Sequence, residues 1–463
     1  MSNTITFFLV MTSIVVLIGC SLDDQPHSAA GVNTGTIEYM KSTFKDDRSN
    51  CILIMVDGLR ADVLDKQINH GSLVPNISRL AGESLHFTHA RSASSLLVQS
   101  VSTVISGRLP TLGGTIGLYE AEPHDGQPNL ARAFDSAGYH TGIISNQAIV
   151  GSYQFTRHFD EIQLATLEQP RSATDLVGQA QQFIEDASSE QFFLYLHFRL
   201  PLPPVPDEES YYRAIADVDA ALGDLFARLD SLDNESFTLI ALTAPNGFEL
   251  SEHGGIGNGW TLNEEVLRVP LILHAPVRFM SAVVDEPISL QQLAPTLGTL
   301  FNLGQSFPDA QSLFKSNGSN LVLTLPTAPL VSELIIPERV IMRSVTDGTW
   351  KYTVATRYTT PENRIATARA HVATAQSYRD GSDQPPPLWG SDAYEAIFDL
   401  SSDPHEQHNR IDDHSVSVNQ LQDALRAYRN HCAQHAIAPR MSTLTVEELT
   451  PENLEGLESL GYL

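Results

Sequence analysis

Cys51-Ile52-Leu53-Ile54-Met55-Val56-Asp57-Gly58 is the stretch that decides the fold. Apolar residues run on without alternation and stop at an acidic residue and a glycine. A strand with one wet face alternates with period two, and a strand covered on both faces does not. The run therefore predicts a central strand of a covered sheet. Similar short apolar runs occur at His140–Ser145, Phe192–Phe198, Phe237–Leu242 and Val269–His274. Between them, helical spacing predicts helices over Asn129–Ala137, Ala173–Glu185, Tyr211–Leu229 and Leu290–Leu300. Strands alternating with helices predict an α/β fold, a large mostly parallel sheet flanked by helices. Ligand sites in such sheets lie beyond the carboxyl ends of the strands, where Asp57 and Thr243–Gly247 fall.

After about residue 330 the texture changes. Shorter runs at Val340–Val345, Trp350–Ala355 and Ala393–Asp399 lie between Pro-, Gly- and Asp-rich loops. They predict a smaller C-terminal antiparallel sheet, with a helix at Val416–Tyr428. A last short helix is expected over Thr445–Leu463. Upstream, Ile5 to Gly19 is mostly apolar and uncharged, shorter than the ~20 residues of a usual membrane span. It ends in Leu17-Ile18-Gly19-Cys20, which looks like a bacterial lipobox with Cys20 as the lipidated residue. The α-amine is the only positive charge before it, so a plain secretory signal or an uncleaved anchor is the alternative. Ser21 and Leu22 look like an outer-membrane rather than an inner-membrane sorting signal. The expected organisation is a signal peptide over 1–19, a lipidated Cys20 and flexible tether over 20–48, an α/β domain over 49–330 and a smaller α+β domain over 331–463. The expected location is the bacterial cell envelope, as an outer-membrane lipoprotein facing the periplasm or the cell surface.

Composition sets further limits. Of 463 residues, 42% are hydrophobic, enough for a large core. Asp and Glu number 55 against 28 Lys and Arg, a formal charge of -27. A surface this acidic repels a phosphate backbone, which argues against nucleic acid as a partner. Beyond Cys20 only Cys51 and Cys432 remain. They could pair with each other, but Cys51 opens an apolar strand and reads better as a buried thiol.

Several segments, in one order, resemble the sulfatase family of the alkaline-phosphatase-like superfamily. Ile54-Met55-Val56-Asp57-Gly58-Leu59-Arg60-Ala61-Asp62 is similar to that family's first strand and metal-binding turn. Pro75–Ala81 and Phe87-Thr88-His89-Ala90 resemble the lead-in to its nucleophile, and Ser106-Gly107-Arg108-Leu109-Pro110 the end of the nucleophile helix. Glu264-Glu265-Val266-Leu267-Arg268-Val269-Pro270 resembles the strand entry after the second metal segment. Ile397-Phe398-Asp399-Leu400 with Asp403-Pro404 resembles the C-terminal signature, and Leu460-Gly461-Tyr462 a common terminus.

The resemblance implies a dense polar site: a divalent cation held by carboxylates, an aldehyde made from Cys or Ser, and cations around the sulfate oxygens. This chain departs from that pattern on separate segments. Asp57 is kept, but a second acidic residue is often found where Gly58 stands. Family spacing puts the modified nucleophile at Leu97 and the following Arg at Val101; Gln99 replaces a typical Pro, and Ser100 is kept. Thr243–Gly254 aligns without gaps to the Asp-His-Gly-Glu…Glu-His-Gly segment, with Pro245 and Asn246 at the ligand positions and Phe248 at the Glu. Asn258 stands where a His or Lys would meet sulfate, and Leu202 where a second His would follow His197. Hydrocarbon side chains neither ligate a metal nor attack sulfur.

Asp57, His197, Glu249, Glu252, His253 and Asn258 are the candidates for what remains of the pocket. Each has a plainer reading: a buried hydrogen-bonded histidine for His197, an exposed acidic loop for Glu249 to His253. Ser92, Ser94, Ser95, Ser100, Ser102 and Thr103 crowd the helix start; they are either a displaced nucleophile or caps and turns. His431, Cys432 and His435 form another set that could hold a soft metal, its two histidines sharing a helix face only if the C-terminal helix extends that far. Arg60 and Arg108 read as salt-bridging framework. The expected function is that of a non-catalytic sulfatase-like lipoprotein, membrane-held through its lipid, binding an unknown glycan or protein and using no cofactor. The alternative is a diverged sulfuric- or phosphoric-ester hydrolase with an atypical nucleophile, which would need calcium or another divalent cation.

Overall fold

Every residue of the Asn50–Asp57 strand is buried, which accounts for its lack of alternation. The computed structural model describes residues 38–40, 49–357, 393–413 and 418–437, apart from 71–72, 117–125, 148–154, 167–168, 188–189, 203–205, 232–237, 254–255, 276–277, 318–319 and 337–339. The expected signal, Cys20 and the Thr445–Leu463 helix lie outside the described residues. Among those described, no helix is long and apolar enough to cross a membrane.

Asn50–Asp57 lies in the middle of the large sheet, parallel to Phe192–Arg199 on one side and Thr238–Thr243 on the other. From edge to edge the order is Ala282–Val284, Leu85–Arg91, Arg268–His274, Thr238–Thr243, Asn50–Asp57, Phe192–Arg199, His140–Ser145 and Glu161–Leu164. Only Arg268–His274 runs against its neighbours along this order. The sheet is therefore the mostly parallel one expected. Leu85–Arg91 is not among the apolar runs, because its buried residues include His86 and Arg91.

Helices cover the sheet as their spacing predicts. Ala173–Asp186 and Glu208–Asp230 both start on reciprocal caps, Ser172 with Asp175 and Asp207 with Ser210. The expected Leu290–Leu300 helix divides into a 3₁₀ turn, Leu290–Gln292, and a helix, Leu293–Leu300. Pro295 sits in the first turn of the latter, where its missing N–H costs nothing.

The C-terminal sheet is an antiparallel meander of Leu330–Ile336, Val340–Thr346, Trp350–Arg357 and Ala393–Asp399. The helix expected at Val416–Tyr428 runs over Asn419–His435. Leu421 and Leu425 pack it on Val345, Tyr352 and Ile397. Residues from Gly35 onward form one compact unit, so the two sheets share their packing.

Polar joints tie them together. Glu333, fully buried, accepts from the Thr111 amide at 2.9 Å, Arg343 at 2.6 Å and the Tyr428 hydroxyl at 2.8 Å. Lys351, also fully buried, lies 3.0 Å from Glu264 and 3.0 Å from Glu406, while Arg91 holds Glu264 at 2.9 Å. Glu264 precedes the Arg268–His274 strand of the large sheet and Lys351 lies in the small one. Cys51 and Cys432 are both buried and free, so the two do not pair.

Candidate functional site

The chain folds three separate segments against the carboxyl end of the central strand. Asp57 ends that strand and Gly58 turns away at φ +83°, a conformation an aspartate adopts only with strain. The Gly58 amide donates to the Asn246 carbonyl at 3.1 Å, and the Tyr211 hydroxyl donates to the Gly58 carbonyl at 2.7 Å. Pro245 and Asn246 are thereby held beside Asp57. The Ser92 hydroxyl donates to the Pro245 carbonyl and lies 3.0 Å from the Ser100 hydroxyl, joining these segments to the Leu97–Ser106 helix. Leu97 and Val101 are each 1% exposed, packed in the core. Gly58, Pro245 and Asn246, three of the positions the family resemblance singles out, are thus linked to one another and, through Ser92, to the helix that carries Leu97 and Val101.

Asp57 itself is buried. Gln147 donates its side-chain amide to Oδ2 at 3.0 Å, and Oδ1 has no hydrogen-bond partner. Burial pushes the carboxyl up to about 6 from its ordinary 3.8, although Gln147, the Arg199 charge and Asn246 all favour the anion. The Asn246 amide donates to the Gly247 carbonyl at 2.9 Å, and its oxygen is buried without a partner. His197 pairs in register with Met55, two residues before Asp57. Its Nδ1 lies 2.9 Å from the Tyr195 hydroxyl and its Nε2 has no partner. Complete burial presses the imidazole down to about 3, so it is neutral near neutral pH.

Glu249, Glu252 and His253 gather around other residues. Arg60 donates to Glu252 and to the Phe248 carbonyl, and the Leu250 amide donates to Glu252 at 2.5 Å. Glu249 accepts from the His253 amide at 3.0 Å, and the His253 ring lies 3.3 Å from Glu265. The group is therefore a partly buried ion-pair cluster centred on Arg60 and Glu265, not the exposed acidic loop of the plainer reading. Asn258 is half-buried just after the Ile256–Gly257 strand.

Of the candidates near the helix start, Ser92, Ser94, Ser100, Ser102 and Thr103 are hydrogen-bonded into the frame, while the buried Ser95 hydroxyl has no partner among the described residues. Ser94 donates to Gln99 at 2.9 Å, Ser100 to the Ser94 carbonyl at 2.6 Å, and Thr103 to the Gln99 carbonyl at 2.9 Å. Gln99 in turn donates to the Ile335 carbonyl at 2.5 Å and accepts from its amide at 3.2 Å. It fastens this helix to the first strand of the C-terminal sheet. At the far helix, His431 and His435 stack at 4.3 Å. Among the described residues no three His, Cys, Asp or Glu side chains are arranged to hold a metal ion.

The donor set near Asp57 does not fit a divalent cation. Calcium is bound by six to eight oxygens with carboxylates prominent among them. Here one carboxylate is available, an amide N–H already points at one of its oxygens, Pro245 has no side-chain donor and Gly58 has no side chain. Gln147 and Arg199 were not singled out from the sequence. Their signal was position, since Arg199 ends the strand beside Asn50–Asp57 and Gln147 follows the next strand out, His140–Ser145.

A mostly parallel sheet with an acidic residue ending its central strand, joined to a C-terminal antiparallel sheet, defines the alkaline-phosphatase-like class of α/β proteins. The chain belongs to the sulfatase family, whose sequence model, Sulfatase, matches residues 49–303. Arylsulfatase A of Bos taurus is 24% identical over 443 residues, covering 78% of this chain and 83% of that protein. Iduronate 2-sulfatase of Homo sapiens is 28% identical over 151 residues, 31% of this chain and 26% of its own length. Among solved structures, phosphonate monoester hydrolase of Agrobacterium radiobacter matches with TM-score 0.63 at 16% identity, over 84% of this chain and 96% of its own. A protein solved with its substrate D-glucosamine-2-N,6-O-disulfate matches with TM-score 0.62 at 14% identity, over 85% and 100%. At these identities the solved structures speak for the fold alone.

Proposed function

We propose that this sulfatase-family chain is an exported lipoprotein, anchored through Cys20, that does not hydrolyse sulfate esters. In this reading its scaffold binds a ligand, glycan or protein. One observation carries it: the Asp57 carboxylate accepts from the Gln147 amide and is flanked by Pro245 and the Asn246 amide, with no second carboxylate beside it among the described residues, where hydrolysis needs a ligated cation. Sulfate and phosphate transfer depend on fixed positive charge at the developing oxyanions. Of the nearby groups Arg199 is the cation that acts on Asp57. Leu97 and Val101 supply neither an attacking oxygen nor a hydrogen-bond donor. Ser92, Ser94 and Ser100 hydrogen-bond to one another, to backbone carbonyls or to Gln99, with no base among these partners to activate them.

The test combines metal analysis of the purified protein with assays on 4-nitrophenyl sulfate and 4-nitrophenyl phosphate. No stoichiometric metal and no turnover are expected. A tightly held divalent cation, with turnover abolished by Asp57→Asn, would overturn the proposal in favour of a diverged ester hydrolase. Membrane fractionation of Cys20→Ser cells tests the anchor, which is refuted if the variant stays with the membrane.

A further inference from the structure

Glu265 is a carboxylate 1% exposed with an imidazole against each oxygen. His253 Nε2 lies 3.3 Å from Oε2, and His405 Nδ1 lies 3.1 Å from Oε1. The two rings come from different parts of the chain: His253 from the segment that follows Asn246, His405 from the loop after the Ala393–Asp399 strand. Both His253 Nε2 and Glu265 Oε2 are buried and make no aimed hydrogen bond, to each other or to anything else described. At that distance the attraction is chiefly electrostatic and is strongest while the ring is protonated.

The segment so held lies over the Asp57 end of the sheet. Phe248 side-chain atoms come within 3.6 Å of the place a Cβ on Gly58 would occupy. Its near end is fixed by backbone, since the Gly247 amide donates to the Val266 carbonyl at 2.9 Å and the Phe248 amide to the Glu265 carbonyl at 3.0 Å. Gly247 is packed so closely that a Cβ would fall 2.1 Å from the Glu265 carbonyl oxygen. Glu249 and Leu250 pair with Gly257 and Ile256 as a short hairpin, and among the described residues its tip is tied to the rest of the protein through side chains: Arg60 to Glu252, Gln407 to the Glu252 carbonyl at 3.4 Å, and His253 to Glu265. Ser251, at φ +80°, stores strain in the same stretch.

We propose that His253 and Glu265, with His405 on the other carboxylate oxygen, form a latch that holds residues 249–253 closed over the Asp57 end of the sheet and releases them when His253 loses its proton. The charged groups around it are arranged for this. On the segment itself Glu249 faces His253, while Glu252 is neutralised by Arg60. From the other elements come Glu265 and Glu406, with Glu264 already paired to Arg91 and Lys351. Burial by itself would lower His253, but Glu265, Glu249 and Glu406 outweigh it and hold the ring above its ordinary 6.5. Burial likewise disfavours the Glu265 anion, and His253 and His405 more than offset it, keeping the carboxyl below its ordinary 4.5. For His253 the folded value is the raised one. The stabilisation is therefore complete below about 6.5 and is lost as pH rises through the folded value. The inference does not depend on whether the protein turns over an ester.

Hydrogen–deuterium exchange of the intact protein, corrected for the intrinsic rate, tests it at about pH 6 and about pH 9. Opening of residues 249–253 should rise about fivefold or more across that range, while Asn50–Asp57 stays protected. His253→Gln should open the segment at both pH values and erase the difference. Glu265→Gln should do the same, because the backbone carbonyl at 265 is retained, and serves if the first variant fails to fold. His405→Gln, whose ring is half-exposed, should have a smaller effect of the same sign. Protection independent of pH in the parent protein, or an unchanged pH dependence in His253→Gln, would overturn the latch.

Discussion

Asp57→Asn separates a vestigial acidic residue from a metal ligand, because the two roles give opposite signs. The Asp57 carboxyl is held up to about 6 in the folded protein against an ordinary 3.8. At 1.36 kcal/mol per pKa unit, ionising it in place costs the fold about 3 kcal/mol. Because the folded value is the raised one, stability is fully present below about 3.8 and is lost as pH rises through about 6. Asparagine keeps the shape and one acceptor for Gln147 while carrying no charge to desolvate. The variant should therefore be more stable than the parent by up to about 3 kcal/mol at pH 8, with the gap closing near pH 4. Urea denaturation at both pH values, with and without added calcium or chelator, reads this directly as a shift in midpoint. A ligated cation would reverse the result. If Asp57→Asn is less stable at pH 8, and if calcium raises the parent's midpoint but not the variant's, the vestigial reading of Asp57 is wrong.

Two further substitutions probe how the frame is held. Lys351→Met leaves Glu406 and Glu264 buried with one fewer cation and should cost about 3–5 kcal/mol; adding Glu406→Gln should recover most of it, and a double variant as unstable as the single would refute the charge account. Gly58→Asp should destabilise by about 1–3 kcal/mol in thermal unfolding through its positive φ, and a gain in stability on adding calcium would show that a second acidic residue there can still serve a metal.

Much of this architecture could be read from unbroken apolar runs, because a strand covered on both faces carries its burial in its own residues. Asn50–Asp57 and Phe192–Arg199 are of that kind. Leu85–Arg91 was not, since its polar residues are buried by partners far along the chain: Arg91 meets Glu264, and His274 meets Ser84 just before the strand. The C-terminal helix ran past Tyr428 because Cys432 is buried along the same helix while its other late residues are polar, and a mixed tail gives no apolar period to read. At the site, spacing picked out Asp57, Pro245 and the helix that begins at Leu97, which Ser92 joins to Pro245, whereas Gln147 reaches Asp57 across 90 positions with no motif around it. Glu249, Glu252 and His253 were legible as a group but not as a purpose. Their partners Arg60 and Glu265 lay in segments whose roles the sequence left as framework.

The Gln99 side chain has a consequence for any attempt to walk this chain back toward chemistry. Its amide satisfies both the N–H and the carbonyl of Ile335, so proline at that position would strand two main-chain groups away from water. Replacing Leu97 with a reactive residue is thus not a self-contained repair. The neighbouring turn has been conscripted as a rivet between the two sheets, and the molecule would have to be re-riveted elsewhere before the old geometry could return.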